Sequence, residues 1–141
     1  MTSAELAAVH GPMIERDERT APFFDAAEGD KLLLQRCTAC GKWLGPQAMT
    51  CTGCDGSELA WRPAAGTARL ITWAVVHAAP HRAFADQLPY VTGYVELTEG
   101  AWLTARLVGV DAAHLHEGTA LTVAFAHPDE GESYPVFVER P

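Results

Sequence analysis

All four cysteines of this chain lie in one stretch of eighteen residues, CTACGKWLGPQAMTCTGC. They form two Cys-x-x-Cys pairs, Cys37 with Cys40 and Cys51 with Cys54, and ten residues separate the pairs. Each pair makes a tight turn that directs two thiolates to one point. Two such turns joined by a hairpin complete the tetrahedral sulfur cage that Zn²⁺ prefers, so the spacing predicts a zinc ribbon. Two disulfides or a redox-active dithiol are the alternative interpretations.

Four thiolates would leave no coordination position open for water, so we expect the single zinc ion to be structural and not catalytic. Structural zinc in small finger peptides contributes on the order of 10 kcal/mol, which is comparable to the whole stability of a domain. We expect Gly41 and Gly53 to lie where the two turns bend back, because glycine reaches such conformations without strain. Loss of the metal should unfold the ribbon.

The other residue types that support nucleophilic or acid–base chemistry do not form a recognisable set. The six histidines are His10, His77, His81, His114, His116 and His127. None of them has a serine or cysteine partner in an arrangement typical of a catalytic triad, and the pair at positions 114 and 116 lacks a third metal ligand. We therefore predict no catalytic residue, and we do not expect this chain alone to be an enzyme.

The charge of the chain limits its partners. It carries 10 basic and 18 acidic residues, a net charge of −8, which argues against nucleic acid or an anionic membrane as a partner. Residues 1–30 and 63–141 each carry −5, whereas residues 31–62 carry +2 before a metal binds. A zinc tetrathiolate adds about −2 and brings the middle segment to neutrality, so a ribbon that reads DNA is not expected.

The elements that must position the cysteines suggest a mainly β protein with three parts. We predict an N-terminal helical arm over residues 1–31, a rubredoxin-like zinc ribbon over residues 32–62 and a five-stranded OB-fold barrel over residues 63–141. In the ribbon, the run Leu32-Leu33-Leu34 predicts the strand that enters the first Cys-x-x-Cys turn. We expect Trp43 and Trp61 either to cover the metal site or to face the barrel.

Two short helices are expected in the arm. Thr2 followed by Glu5 has the spacing of a capping box, and the helix that it would begin should end at Gly11. The sequence FFDAAE predicts a second helix that ends at Gly29. Its two adjacent phenylalanines cannot share one narrow helical face, so one of them should contact the ribbon or another protein.

From residue 66 onward the sequence reads as short β-strands separated by turn residues. The five predicted strands span residues 69–78, 90–97, 101–109, 119–126 and 134–139. A tight hairpin is predicted at residues 98–100, with Val91, Val95 and Leu97 on one face. Asp111 should cap a helical turn before the fourth strand, and this order matches an OB barrel. The loop over residues 80–89 is our first candidate for contact with a ligand or partner.

We expect no secretory signal and no membrane span. The amino terminus MTSAELAAVHGP has neither a cationic leader nor a long apolar run. No segment approaches the roughly 20 apolar residues that cross a membrane. We therefore expect a cytoplasmic protein, and reducing conditions there would also favour metal binding over disulfides.

Several segments together carry a family resemblance. They read FFDAAEGDKLLLQRCTACG, CTGCDGSELAWRPAAGTARLITWAVVHAAP, LPYVTGYVELTEGAWLTARLVG and YPVFV, and they cover the chain from about Pro22 to its end. The combination resembles the zinc-ribbon plus OB-fold family once known only as domain of unknown function thirty-five, whose members accompany enzymes that act on acyl-coenzyme A. The chain departs from it at Ala78, where members often carry arginine, and at Thr52, where proline is often seen.

The resemblance implies a non-catalytic accessory subunit within a hetero-oligomer. Its partner would be a thiolase-like enzyme, an aldolase of the lipid-transfer type, a ketoacyl-synthase-like acyltransferase or, as an alternative, an acyl-CoA hydratase. The partner would carry out the covalent chemistry. The accessory chain would bind that partner and help to hold the coenzyme A part of the acyl-CoA substrate.

Coenzyme A carries a diphosphate and a 3′-phosphate, which call for arginine, lysine or free backbone amides. The candidate ligand-binding residues are Arg36, Trp73, His77, Arg82 and Phe84. We expect Arg82 and one basic residue of the ribbon to converge on the phosphates, while Trp73 or Phe84 offers an apolar surface to adenine. For each residue, an ordinary surface or core position is the alternative. A second alternative is a module that binds single-stranded nucleic acid. Such a module needs a basic groove, and the net negative charge of the barrel half argues against one.

Overall fold

The computed structural model describes residues 3–141 and confirms a mainly β fold. The arm contains α1 (Ser3–Ala7) and α2 (Ala21–Glu28), and the ribbon contains β1 (Leu33–Cys37), β2 (Trp43–Leu44) and β3 (Leu59–Pro63). The barrel contains β4 (Thr67–Val76), β5 (Tyr90–Leu97), β6 (Trp102–Leu107), β7 (Ala120–Ala126) and β8 (Tyr134–Glu139). Short 3₁₀ turns span Arg82–Phe84 and Ala112–His114. Thr2, the residue predicted to cap the first helix, lies outside the described residues.

The ribbon is a three-stranded antiparallel sheet in the order β2-β1-β3. In the central strand, Gln35 pairs with Leu44 on one side and with Trp61 on the other. Its buried side-chain amide donates hydrogen bonds to the carbonyl oxygens of Pro46, at 2.9 Å, and Ala48, at 2.6 Å. These bonds satisfy a buried polar group and fix the loop that leads from the first cysteine pair to the second.

The five predicted barrel strands are all present and close in the order β4-β5-β6-β8-β7. Val91 pairs with Leu107 and Val95 pairs with Leu103, so the predicted hairpin has its apolar residues on the inner face. Asp111 caps the turn before β7 as predicted, because its carboxylate accepts a hydrogen bond from the Ala113 amide at 3.0 Å. The closure between β6 and β8 rests on one parallel pair, Leu107 with Phe137.

The contact between β4 and β5 requires a glycine. Gly93 is buried opposite Trp73, and a Cβ atom at Gly93 would lie 2.5 Å from the carbonyl oxygen of Thr72. The register of the two strands shifts between Leu70 and Thr72, which brings the two backbones close together. Only a residue without a side chain fits there.

One apolar core joins the ribbon to the barrel. Leu32 and Leu34 of the ribbon belong to the same buried cluster as Leu70 and Phe137 of the barrel, and Leu34 is fully buried. Trp43 also packs against this cluster, so it faces the core shared with the barrel, one of the two positions that we expected for it. The ribbon and the barrel share one core, so packing does not mark a boundary between them. The domain boundary at residues 62–63 stays a prediction.

The arm crosses the barrel as an extended strap over residues 9–16. The first helix ends at Ala7, earlier than predicted, because the next residues pack on the barrel: Val9 is buried in a cluster with Val108 and Val136. The Glu132 amide donates to the Ile14 carbonyl at 3.0 Å. A long-range contact of this kind has no signal in the local sequence.

The second helix follows the prediction closely: it ends at Glu28, and Gly29 is its C-cap. Phe23 packs against the main core and lies 6.4 Å from the Trp61 ring, between centroids, so it contacts the ribbon as expected. The Phe24 ring meets the Phe23 ring edge-on, with 5.2 Å between centroids, and Phe24 remains partly exposed. Within residues 3–141, no helix is long and apolar enough to cross a membrane.

Candidate metal centre and ligand surface

The four cysteine sulfurs converge on one point, all within 4.8 Å of one another. The Sγ atoms of Cys37 and Cys54 are 3.6 Å apart, and those of Cys40 and Cys51 are 3.5 Å apart. A tetrahedron with Zn–S bonds of about 2.3 Å has sulfurs about 3.8 Å apart, so the cage fits zinc. A disulfide needs about 2.05 Å, which excludes the alternative of two disulfides in this conformation. A closed tetrathiolate holds a structural ion.

Backbone amides stabilise the thiolate form of Cys37 and Cys51, the first cysteine of each pair. The amide of Cys40 donates to the Cys37 sulfur at 3.5 Å, and the amide of Gly53 donates to the Cys51 sulfur at 3.3 Å. The Cys40 amide is the main reason that the pKa of the Cys37 thiol falls to about 6 in the metal-free chain. A metal ligand must be deprotonated, so these amides favour metal binding.

The two cysteine turns repeat each other residue by residue. The amides of Gly41 and Asp55 each donate, at 2.9 Å, to the carbonyl oxygen of the first cysteine in their own turn. Both residues have a positive φ, 79° at Gly41 and 62° at Asp55. Gly41 therefore has the conformation that we expected of a glycine. In the second turn Gly53 exposes its amide to sulfur as expected, but the residue with the positive φ is Asp55. Aspartate tolerates this conformation better than most residues.

The predicted ligand residues lie on different elements. Arg36 lies on β1, Trp73 lies on β4, and His77, Arg82 and Phe84 follow the end of β4. The convergence of Arg82 with a basic residue of the ribbon on one ligand stays a prediction.

The aromatic candidates are used for packing. Trp73 points into the barrel from β4 and packs, partly buried, against the main core. Phe84 stacks on Tyr90 with 5.0 Å between ring centroids, and a Cβ atom at Gly11 of the strap would lie 2.8 Å from the Phe84 ring. His77 is exposed. Trp73 and Phe84 are each partly buried, and a role of either ring in holding adenine stays a prediction.

Arg106 ties the 80–89 loop to the strap. Its guanidinium lies 5.0 Å from the Tyr90 ring centroid, and it donates to the His10 carbonyl and to the Gln87 side chain, each at 2.9 Å. Burial lowers the pKa of this guanidinium. The loop that we predicted as a ligand contact is thus partly occupied by contacts within the chain.

His127 has two partners that the sequence did not reveal. Its Nδ1 lies 2.7 Å from the Ser133 hydroxyl, and its Nε2 lies 2.7 Å from an Asp30 carboxylate oxygen. A serine, a histidine and an aspartate are thus in contact, but their exposure differs from that of a catalytic triad. Asp30 is 69% exposed and His127 44% exposed, whereas the acid of a catalytic triad is buried. The contacts connect the end of α2 to the β7–β8 loop.

Two family models match consecutive parts of the chain. Residues 24–60 match the model described as ChsH2, rubredoxin-like zinc ribbon domain. Residues 61–126 match the model described as ChsH2, C-terminal OB-fold domain. The chain belongs to the ChsH2-type, or DUF35, family of zinc-ribbon and OB-fold proteins.

Several relatives of this family are similar over most of the chain. A chain of the solved structure described as Ltp2-ChsH2(DUF35) aldolase is 35% identical, with a TM-score of 0.75, covering 91% of this chain and 98% of that one. A DUF35-family structure from Sulfolobus solfataricus has a TM-score of 0.57 over 75% of this chain and 77% of that one; at 14% identity it supports the fold alone.

Two curated relatives are longer than the region that they share with this chain. A probable enoyl-CoA hydratase alpha subunit of Thermomonospora curvata is 36% identical over 89% of this chain, which spans only 38% of that protein. A DUF35 domain-containing scaffold protein of Methanocaldococcus jannaschii is 32% identical over 64% of this chain and 64% of its own length.

Proposed function

We propose that this chain is an accessory subunit of an acyl-CoA-processing enzyme complex, in which a thiolase-like or aldolase-like partner carries out the covalent chemistry. The observation that carries the proposal is the similarity to a chain of the Ltp2-ChsH2(DUF35) aldolase, which covers nearly all of that chain at 35% identity. The scaffold description of the Methanocaldococcus jannaschii relative supports the same role.

The chemistry of the described residues supports a role in assembly. The cysteines form a closed cage, and the His127 contacts are exposed to solvent, so residues 3–141 present no buried nucleophile beside a base. Large apolar side chains are exposed on the barrel strands: Trp102 is 55% exposed and Tyr94 is 49% exposed. Exposed aromatic side chains of this size are typical of surfaces that bind another protein.

A specific observation favours a second candidate, the accessory role in an acyl-CoA hydratase. The Thermomonospora curvata relative is described as a probable hydratase alpha subunit, and its similarity extends over 89% of this chain. The two candidates share the acyl-CoA substrate and differ in the partner. Identifying the partner therefore separates them.

Affinity purification of the full chain from its own host, followed by mass spectrometry, tests the proposal. We expect an enzyme of the thiolase superfamily at a fixed stoichiometry, and a complex reconstituted from the two purified proteins should cleave or transfer acyl groups of acyl-CoA faster than the enzyme alone. A hydratase that copurifies instead would support the second candidate. Salt-dependent binding of single-stranded nucleic acid, with no acyl-CoA enzyme, would contradict both.

The matched control is the Gly100→Ala variant. Gly100 lies in the β5–β6 turn with a φ of 101° and no atom near the position of an added Cβ, so the change strains one turn without covering a surface. This variant should retain its partner. Replacing Tyr94 and Trp102 together by serine should weaken the complex while the zinc content stays at one ion per chain.

A further inference from the structure

The ribbon carries a polar groove that the zinc site does not use. The groove has a volume of about 310 Å³, and its walls include Arg36 and Arg62. Thr38, Gly41 and Ala60 complete the part of the wall that faces solvent. Both arginine side chains belong to exposed residues, so their guanidinium groups are accessible to a ligand.

The strand register places the two arginines side by side. Arg36 of β1 pairs with Ala60 of β3, and Arg62 lies two residues further along β3, opposite Leu34. Residues in this diagonal relation project from the same face of a sheet, about 7–8 Å apart. Two guanidinium groups at this spacing can contact one phosphate group or a diphosphate from both sides.

The ribbon holds Arg36 in place before any ligand binds. Its Nε atom donates to the Gly41 carbonyl oxygen at 3.0 Å, and its guanidinium lies 5.3 Å from the centroid of the Trp43 ring. These contacts engage one edge and one face of the planar group and leave the terminal nitrogens for an anion. A guanidinium group that is already oriented loses less conformational entropy when it binds a ligand.

Neither arginine has a carboxylate partner among residues 3–141. The Arg62 side chain donates a hydrogen bond to the carbonyl oxygen of Trp61 at 3.0 Å. The ion pairs within residues 3–141 involve other basic residues. Leu34, on the same face of the sheet, is fully buried in the shared core. Two neighbouring cations without a carboxylate partner attract an anion more strongly than either cation alone.

We propose that this groove binds the phosphate groups at the nucleotide end of acyl-CoA, with Arg36 and Arg62 as the contacting residues. The inference rests on the proposed function. It keeps Arg36 from the candidate residues and adds Arg62 as its neighbour. Free nucleotides and inorganic phosphate share the same chemistry. A set of related ligands therefore has to distinguish coenzyme A from a general anion.

A competing role for the arginines is to offset the negative charge of the zinc tetrathiolate, since Cys37 also lines the groove. The two roles predict different results for zinc retention. If the arginines only balance the cage, Arg36→Ala should lose zinc to a chelator sooner, and its affinity for coenzyme A should follow the zinc content. If they bind phosphate, affinity should fall while zinc stays at one ion per chain.

Calorimetric titration of coenzyme A, adenosine 3′,5′-bisphosphate, dephospho-coenzyme A, pantetheine and inorganic phosphate into the zinc-loaded chain and into its enzyme complex tests the proposal. We expect coenzyme A to bind, and Arg36→Ala and Arg62→Ala each to weaken its binding roughly tenfold, as for loss of a charge-assisted hydrogen bond. Pantetheine lacks these phosphates and should bind the variants and the original chain alike. In turnover assays of the complex, the KM for acyl-CoA should rise while kcat is retained.

The control is Arg140→Ala, which removes the same charge from an exposed residue at the other end of the chain. If this control loses as much affinity for coenzyme A as the groove variants do, the loss is explained by net charge alone, and the proposal is overturned. A large effect of Arg82→Ala with none at Arg36 and Arg62 would do the same, as would inorganic phosphate binding as tightly as coenzyme A. Failure to find an acyl-CoA enzyme contradicts the proposed function, whereas a functional complex that is insensitive to both arginines contradicts only this inference.

Discussion

The ribbon and the barrel reach a stable structure by different means. The barrel buries a continuous cluster of apolar side chains, including Leu70, Val95 and Phe137. The tip of the ribbon has a small cluster of its own, formed around Cys37, Leu44 and Cys51, and two of these three residues are metal ligands. A small segment with so little apolar surface to bury depends on the ion, whereas the larger barrel does not. The two parts should therefore respond differently to the same treatment.

Removal of a zinc ligand should have the largest effect and should separate the two parts. We expect Cys51→Ser to lose the ion and to unfold the ribbon tip, at a cost on the order of 10 kcal/mol of metal-binding free energy. The barrel strands should remain folded. Metal analysis combined with amide NMR spectra checks this, with Ser57→Ala as the control in the same segment. A ribbon tip that stays folded without metal would contradict the comparison.

A core substitution at the base of the ribbon should act on both parts together. Leu34→Ala removes a fully buried side chain that packs in the core shared with the barrel. We expect a loss of about 2–5 kcal/mol in the free energy of unfolding, measured by urea denaturation of the zinc-loaded chain. Intrinsic fluorescence and amide exchange should report one transition. Loss of ribbon signals at a urea concentration that leaves the barrel intact would show that the core is not shared.

The two cysteine turns offer a smaller and more local test. Gly41→Ala places a side chain at a φ of 79° and should weaken zinc binding by about 1 kcal/mol, whereas Asp55→Gly relieves a φ of 62° and should strengthen it by a smaller amount. Competition for zinc with a chromophoric chelator measures both. Gly118→Ala, at a φ of 89° in the barrel, is the matched control and should leave zinc affinity unchanged.

The smallest expected effect concerns the strap and depends on pH. Arg16 bonds the Glu132 carboxylate at 2.8 Å and lowers its pKa. A lowered pKa in the folded state stabilises the protein above the unfolded value of about 4.3, and this contribution disappears as the pH falls through the folded pKa. Glu132→Gln should therefore speed amide exchange of the strap slightly at neutral pH.

Hydrogen exchange at residues 13–16, measured across the pH range, checks the prediction for the strap. The difference between the variant and the original chain should vanish in acid, and comparing them at each pH removes the effect of zinc loss common to both. Glu130→Gln, an exposed neighbour in the same loop, should show no difference at any pH. A difference that persists in strong acid would exclude the ion pair as its cause.

Local patterns predicted much of the fold and of the metal site. Cysteine spacing predicted the cage, and alternating apolar residues with turn residues placed all five barrel strands within about two residues of their ends. Contacts between distant parts of the chain escaped prediction. Asp30 meets His127 across 97 positions, and Val9 of the arm packs in one cluster with Val136 of β8. The bend at Asp55 was missed because glycine is the usual residue at a positive φ.

The single pair that joins β6 to β8 has a consequence for access to the barrel interior. The other four ladders can stay hydrogen bonded while Leu107 and Phe137 separate, and the amide of Val108, which donates to Phe137 at 2.9 Å, would be released with them. Local opening should therefore begin between β6 and β8 and expose the Phe137 ring to solvent before the other strands separate. A small apolar molecule that enters the barrel would enter between these two strands.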